Sequence, residues 1–149
     1  MEVKKILCAV DLEDTIAPSV EYAKMMASMT GASILVAYVI PAHTPYEDVY
    51  LSVNNQPNEV NNPNETIQKS MNALLAEQVA GMESTGFILV GRPSEELVKL
   101  AEEKGANLIV MGTHGRAGFD RLLFGSVAHE VVRAAPCPVM TVRPLMPKK

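Results

Sequence analysis

The run from Met111 to Ser126 carries the residues with the clearest chemical use. It presents Gly112, two residues, Gly115, nine residues, and then Gly125-Ser126, and it follows the apolar stretch Asn107–Met111. A glycine-bearing loop between a buried strand and a helix N-terminus is suited to holding phosphate. Glycine lets the backbone approach an anion and adopt positive φ. The first amides of a helix have no partner within it, and the helix dipole favours negative charge there. On this reading Gly112 and Gly115 wrap a phosphate group. Gly125 and Ser126 then offer backbone amides and a hydroxyl at the N-terminus of the next helix. The alternative is a flexible connector that Ser126 closes as a helix cap.

Asp11 ends the first apolar run. Opposite the glycine loop it can accept hydrogen bonds from sugar hydroxyls or help hold a metal; otherwise it is a turn residue or a helix cap. Arg116 and Arg121 lie in the loop, either neutralising phosphate or solvated. His114 has no neighbour that marks it as a base with an orienting partner. His43 and His129 lack metal-ligand partners at suitable spacing, and His129 is expected at the surface. No zinc, iron–sulfur or Ser-His-Asp pattern is present, so neither a catalytic residue nor a protein metal site is expected. The P-loop lysine is missing, and the first βα turn, Ala9 to Glu13, has no glycine of the dinucleotide fingerprint. An efficient NTPase also needs groups that position water and stabilise the transition state, and no clear candidate stands out.

These residues need elements to position them. Val3–Val10, Ser33–Ile40, Phe87–Val90, Leu108–Met111 and Val139–Val142 read as strands; their apolar runs suit strands buried on both faces. Ile16–Met29 reads as a helix with Val20, Ala23, Ala27 and the methionines Met25, Met26 and Met29 as apolar contacts, ended by Gly31. Asn62-Pro63-Asn64-Glu65 starts a second helix that reaches about Met82. Pro93-Ser94-Glu95-Glu96 starts a third, with Leu97, Leu100 and Ala101 inward and Gly105 as its stop. A fourth starts near Ser126, with Val127, Val131 and Val132 inward. Strand and helix alternate throughout, which predicts an α/β fold: a five-stranded parallel sheet with helices on both faces. Ligands of such sheets bind beyond the carboxyl ends of the strands, where strand order reverses. If the first and fourth strands are neighbours, Asp11 and the glycine loop face one crevice.

The chain has 149 residues, 48% of them apolar and 20% charged, which fits one domain over 1–149 with a full core. A long irregular loop at about 41–62, rich in Asn and Pro, is either a lid or a disordered insertion. The net charge of −4 argues against nucleic acid or an anionic membrane as partner. Cys8 and Cys137 read as small buried hydrophobes, which fits a reducing cytoplasm. Ile6–Val10 is too short for a signal core, and no window approaches the roughly 20 apolar residues of a membrane span.

The residues resemble the universal stress proteins over essentially the whole chain. Gly112-x2-Gly115-x9-Gly125-Ser126 is similar to the ATP-binding motif of that family's ATP-binding branch. Ala9-Val10-Asp11, the run Asn107–Gly118 and Pro136-Cys137-Pro138-Val139 also match family patterns. The other branch lacks the glycine motif and does not bind ATP. The resemblance implies a Rossmann-like, adenine nucleotide alpha hydrolase-like sheet of order 3-2-1-4-5. It implies a cytoplasmic module that binds ATP with Mg²⁺ and serves stress responses or signalling through an unidentified protein partner. AMP or a cyclic nucleotide is a related ligand, and a slow ATPase or a nucleotidyl or phosphoryl transferase is the alternative. Carried over by position, Asp11 sits near ribose or base, Val39 meets adenine through its backbone, and Met111 and Gly112 flank ribose and phosphates. Gly115, Gly125, Ser126 and Val127 hold phosphates, Val127 without the hydroxyl some relatives carry there. Ala9, Val10, His114 and Arg116 complete the expected nucleotide-binding set. A homodimer is also implied: the fifth strand is an edge, and Val139-Met140-Thr141-Val142 is apolar and β-prone, so pairing with its two-fold mate would cover it.

Overall fold

The computed structural model describes residues 2–12, 18–41, 63–113 and 121–143, and their side chains except at 63–64 and 121–126. Strands and helices alternate: β1 (Lys5–Ala9), α1 (Pro18–Thr30), β2 (Ser33–Pro41), α2 (Pro63–Gln78), β3 (Ser84–Gly91), α3 (Pro93–Lys104), β4 (Leu108–Gly112), α4 (Arg121–Ala134) and β5 (Val139–Val142). The strands form one parallel sheet of order β3-β2-β1-β4-β5. The predicted fold class and strand order are therefore those observed. The long loop falls outside the described residues from position 42 to 62.

Period-two alternation sends neighbouring residues of β1 to opposite cores. Ile6 and Cys8 pack with Ile34, Val36 and Val110 beneath α1 and α2, through Val20, Ala23, Ala27, Met71 and Leu74. Leu7 packs with Leu35, Ala37, Ile109 and Met111 beneath α3 and α4, through Leu97, Leu100, Ala101, Ala128 and Val131. Both faces of the central strands are thus covered, which is why their sequences are apolar runs with no polar alternation. Each large side chain buried this way contributes about 1.5–3 kcal/mol.

Several boundaries differ from the sequence reading. α2 stops at Gln78, short of Met82, because the chain turns at Gly81 (φ +81°), where the Met82 amide donates to the Val79 carbonyl at 3.1 Å. β3 starts at Ser84, ahead of Phe87, since Ser84, Thr85 and Gly86 pair with Ile34, Leu35 and Val36 whatever their polarity. Met25 and Met29 are exposed, while Val20, Ala23 and Ala27 hold the buried face of α1. Their spacing puts them across the helix from that face. Val132 is likewise exposed, and Ala128 takes the inward place on α4. At the C-terminus of α3, Gly105 takes the left-handed conformation (φ +69°), and the Ala106 amide donates to the Ala101 carbonyl at 2.9 Å.

Candidate functional site

β1 lies between β2 and β4, and it is where the chain's winding reverses. The carboxyl ends of these three strands open toward one crevice. Ala9 pairs with Ala37, and Cys8 pairs with Val110. Carried forward, these registers set Asp11 level with Val39 on one side and Thr113 on the other. The ends are well anchored. The Val10 amide donates to the Ala37 carbonyl at 2.9 Å, and the Thr113 amide to the Val142 carbonyl at 3.1 Å. Ser19, buried at the start of α1, donates its hydroxyl to the Ala9 carbonyl at 2.9 Å. This bond ties α1 to the exit of β1, and the sequence reading did not single it out.

Ala9, Val39, Met111 and Val127, expected at a nucleotide site, all pack into the core on the α3 and α4 side. Val10 does not join them. It is buried on the opposite side with α1, so only its backbone faces the end of the strand. Asp11 and Gly112 are half-buried. His114, Gly115 and Arg116 lie outside the described residues.

The expected start of the fourth helix near Ser126 needs a correction. α4 starts at Arg121, more than a turn before Ser126. A helix leaves only about its first four amides without an internal partner, and Gly125 and Ser126 come after them. Glycine inside a helix costs about 1 kcal/mol, which Arg121-Leu122-Leu123-Phe124 ahead of it can overcome. Asp120, a preferred N-cap residue type, was the signal in the sequence that marked this earlier start.

A second polar cluster sits where α3 begins. Glu130 of α4 accepts from Arg92 Nη2 through Oε1 at 2.8 Å and from the buried Ser94 hydroxyl through Oε2. The Ser94 hydrogen bond, with the Arg92 guanidinium beside it, holds the Glu130 carboxyl below its usual range. These residues are far apart in sequence, and nothing in their local pattern announces the contact.

Elsewhere, burial pushes the Cys8 thiol up to about 12, with a hydrogen bond from Ser19 opposing it. Cys8 is buried, Cys137 is half-buried, and both are free thiols. His129 is exposed. Among the described residues no group of three or more His, Cys, Asp or Glu side chains could hold a metal ion. Among them, too, no helix is long and apolar enough to cross a membrane.

A parallel sheet of this order, with helices on both faces, defines an open, doubly wound α/β protein. A model of the universal stress protein family matches residues 2–143, and the chain belongs to that family. A universal stress protein of Methanocaldococcus jannaschii is 28% identical over 153 aligned positions, covering 94% of each chain. Its solved structure covers 99% of this chain and 100% of its own, at 27% identity and a TM-score of 0.71. A universal stress protein of Thermus aquaticus is 32% identical, covering 94% of this chain and 98% of its own. The structure of the Archaeoglobus fulgidus universal stress protein in complex with dAMP is 25% identical, with a TM-score of 0.60 over 95% of this chain and 98% of that one.

Proposed function

We propose that this protein is a cytoplasmic universal stress protein that binds ATP with Mg²⁺ in the crevice between β1 and β4, as a nucleotide-dependent signalling module. One observation carries the reading: β1 and β4 are paired neighbours at the reversal of strand order, and their register carried forward sets Asp11 level with Thr113, one residue past Gly112. The dAMP complex of the A. fulgidus relative supports an adenine nucleotide as the ligand class. The residues fit such a group. The side chain of Ala9 is small and Gly112 has none, so the ends of β1 and β4 leave room for a ribose. Asp11 supplies the acceptor that a sugar needs.

Val39, level with Asp11, lies on the adenine side. The phosphates then extend toward Gly115, Arg116 and the start of α4, whose positive end suits them. Contacts from Gly125, Ser126 and Val127 require the residues ahead of them to leave the helix when nucleotide binds. Mg²⁺ would be held chiefly by the phosphates, with Asp11 as the carboxylate offered at the exit of β1. The β5 edge pairs with a second copy to form the homodimer.

The test is mass spectrometry of small molecules released by denaturing freshly purified protein, followed by titration with ATP and Mg²⁺. Co-purified ATP, or saturable binding in the titration, supports the proposal. A folded protein that takes up no ATP in either experiment refutes it.

A further inference from the structure

The Gly125-Ser126 end of the motif lies on α4. Among its described side chains, α4 buries Ala128 and Val131 and half-buries Val127 against the sheet. Its main packing partner is α3. Where these helices meet, both oxygens of Glu130 are engaged, one by Arg92 and the other by Ser94. Arg92 Nη1 also lies 3.6 Å from Glu95 Oε1. The cluster lines one end of a groove of about 360 Å³ between α3 and α4.

Arg92 and Ser94 sit just beyond β3, which pairs with β2 through to Pro41 ↔ Gly91. The cluster therefore joins α4 to the half of the sheet that carries Val39. Glu130 lies nine residues beyond Arg121, where α4 starts, about 14 Å along the helix axis. Because a helix moves as a rigid element, a tie to its second half constrains where its first turn lies.

We infer that Arg92, Ser94 and Glu130 are positioning residues of the nucleotide site, locking the phosphate-facing helix to the adenine-facing half of the sheet. The inference rests on the nucleotide-binding reading and deepens it. None of the three touches the ligand. They act by holding α4 where its amides meet phosphate, so their loss is felt more by a long phosphate chain than by the nucleoside end.

Isothermal titration of ATP and of AMP tests this on the wild-type chain, Ser94→Ala, Glu130→Gln and the double variant. Urea denaturation checks that each is folded. ATP affinity is expected to fall about three- to tenfold in each single variant, within the range of couplings carried through packed elements. AMP affinity falls less, so the preference for ATP over AMP shrinks. The double variant is no worse than the worse single, because both changes break one cluster. Arg92→Gln, at a largely exposed side chain, keeps the test available should Ser94→Ala not fold. A folded variant with an unchanged ATP preference, or equal losses for ATP and AMP, overturns the inference. A wild-type chain that binds no ATP overturns the underlying reading, and that control is scored first.

Discussion

Gly86 offers a direct test of how tightly α2 sits on the sheet. A Cβ at this position would lie 2.7 Å from Met71 Cγ, 3.0 Å from its Sδ and 3.1 Å from Leu75 Cδ1. Carbon pairs settle at about 3.5–4.0 Å, so a methyl group here overlaps its neighbours. Met71 is 0% exposed and cannot swing aside without leaving the core. Overpacking of this kind costs about 1–3 kcal/mol. Replacing glycine restricts the unfolded chain and returns about 0.4–1 kcal/mol. Gly86→Ala should therefore destabilise the fold by about 1–2 kcal/mol.

The cause can be isolated with Met71→Ala. That change alone should cost about 2–5 kcal/mol through lost burial and a cavity. With the Met71 side chain gone, the two nearest overlaps vanish and the added methyl fills part of the space, so Gly86→Ala becomes neutral or stabilising. Urea denaturation followed by circular dichroism, at one fixed protein concentration, gives the four stabilities of the cycle. The coupling should reach about 1 kcal/mol or more, beyond the 0.3–0.5 kcal/mol scatter of independent sites. If Gly86→Ala costs the same in both backgrounds, the close approach of Met71 is not why glycine stands there.

Three further outcomes follow from the site and the sheet. Asp11→Ala should weaken ATP binding by about tenfold or more, the scale of a hydrogen bond to a charged group; calorimetric affinity equal to wild type would remove Asp11 from the site. The Cys8 thiol, raised from 9.0 to about 12 by burial, favours the fold fully below pH 9. As pH rises from 9 toward 12 the unfolded chain ionises its thiol first, so that contribution is lost at up to about 1.4 kcal/mol per pH unit. Stability measured across this window should fall less steeply in Cys8→Ala than in wild type, and parallel curves would contradict the assignment. On β5, the Ile109 and Thr113 amides donate to the Pro138 and Val142 carbonyls. The alternate residues Val139 and Thr141 thus present their backbone groups at the open edge. Thr141→Pro removes an edge donor and should shift the proposed dimer toward monomer in sedimentation equilibrium; an unchanged mass would place the interface elsewhere.

The sequence revealed whatever is written locally. Continuous apolar runs marked β1, β2 and β4, because a strand covered on both faces has no polar side to show. Gly105 and Pro93 bracketed α3 because a left-handed cap and a first-turn proline are each tied to one residue type. Ser84-Thr85-Gly86 hid the first half of β3, since an edge strand is held by backbone pairing that its side chains do not report. The methionines of α1 misled through chemistry: all are apolar, but Met25 and Met29 fall on the solvent side of the helix, and only their offset from Ala23 and Ala27 says so.

The candidate site divides along the same line. Asp11 and Gly112 were legible because each ends an apolar run. That their strands are neighbours was not, since strand order is set by how helices pack across the sheet; the order came from the family resemblance, and the structure bears that order out. Glu130 is the extreme case. By its own pattern it is one acid on an amphipathic helix, with nothing to separate it from Glu102 or Glu103. Its meaning comes from Arg92 and Ser94, brought to it only when α3 and α4 lie side by side. A contact of this kind can be lost without disturbing any local signal, which makes it a place where members of one fold can differ in how firmly two neighbouring helices are held together.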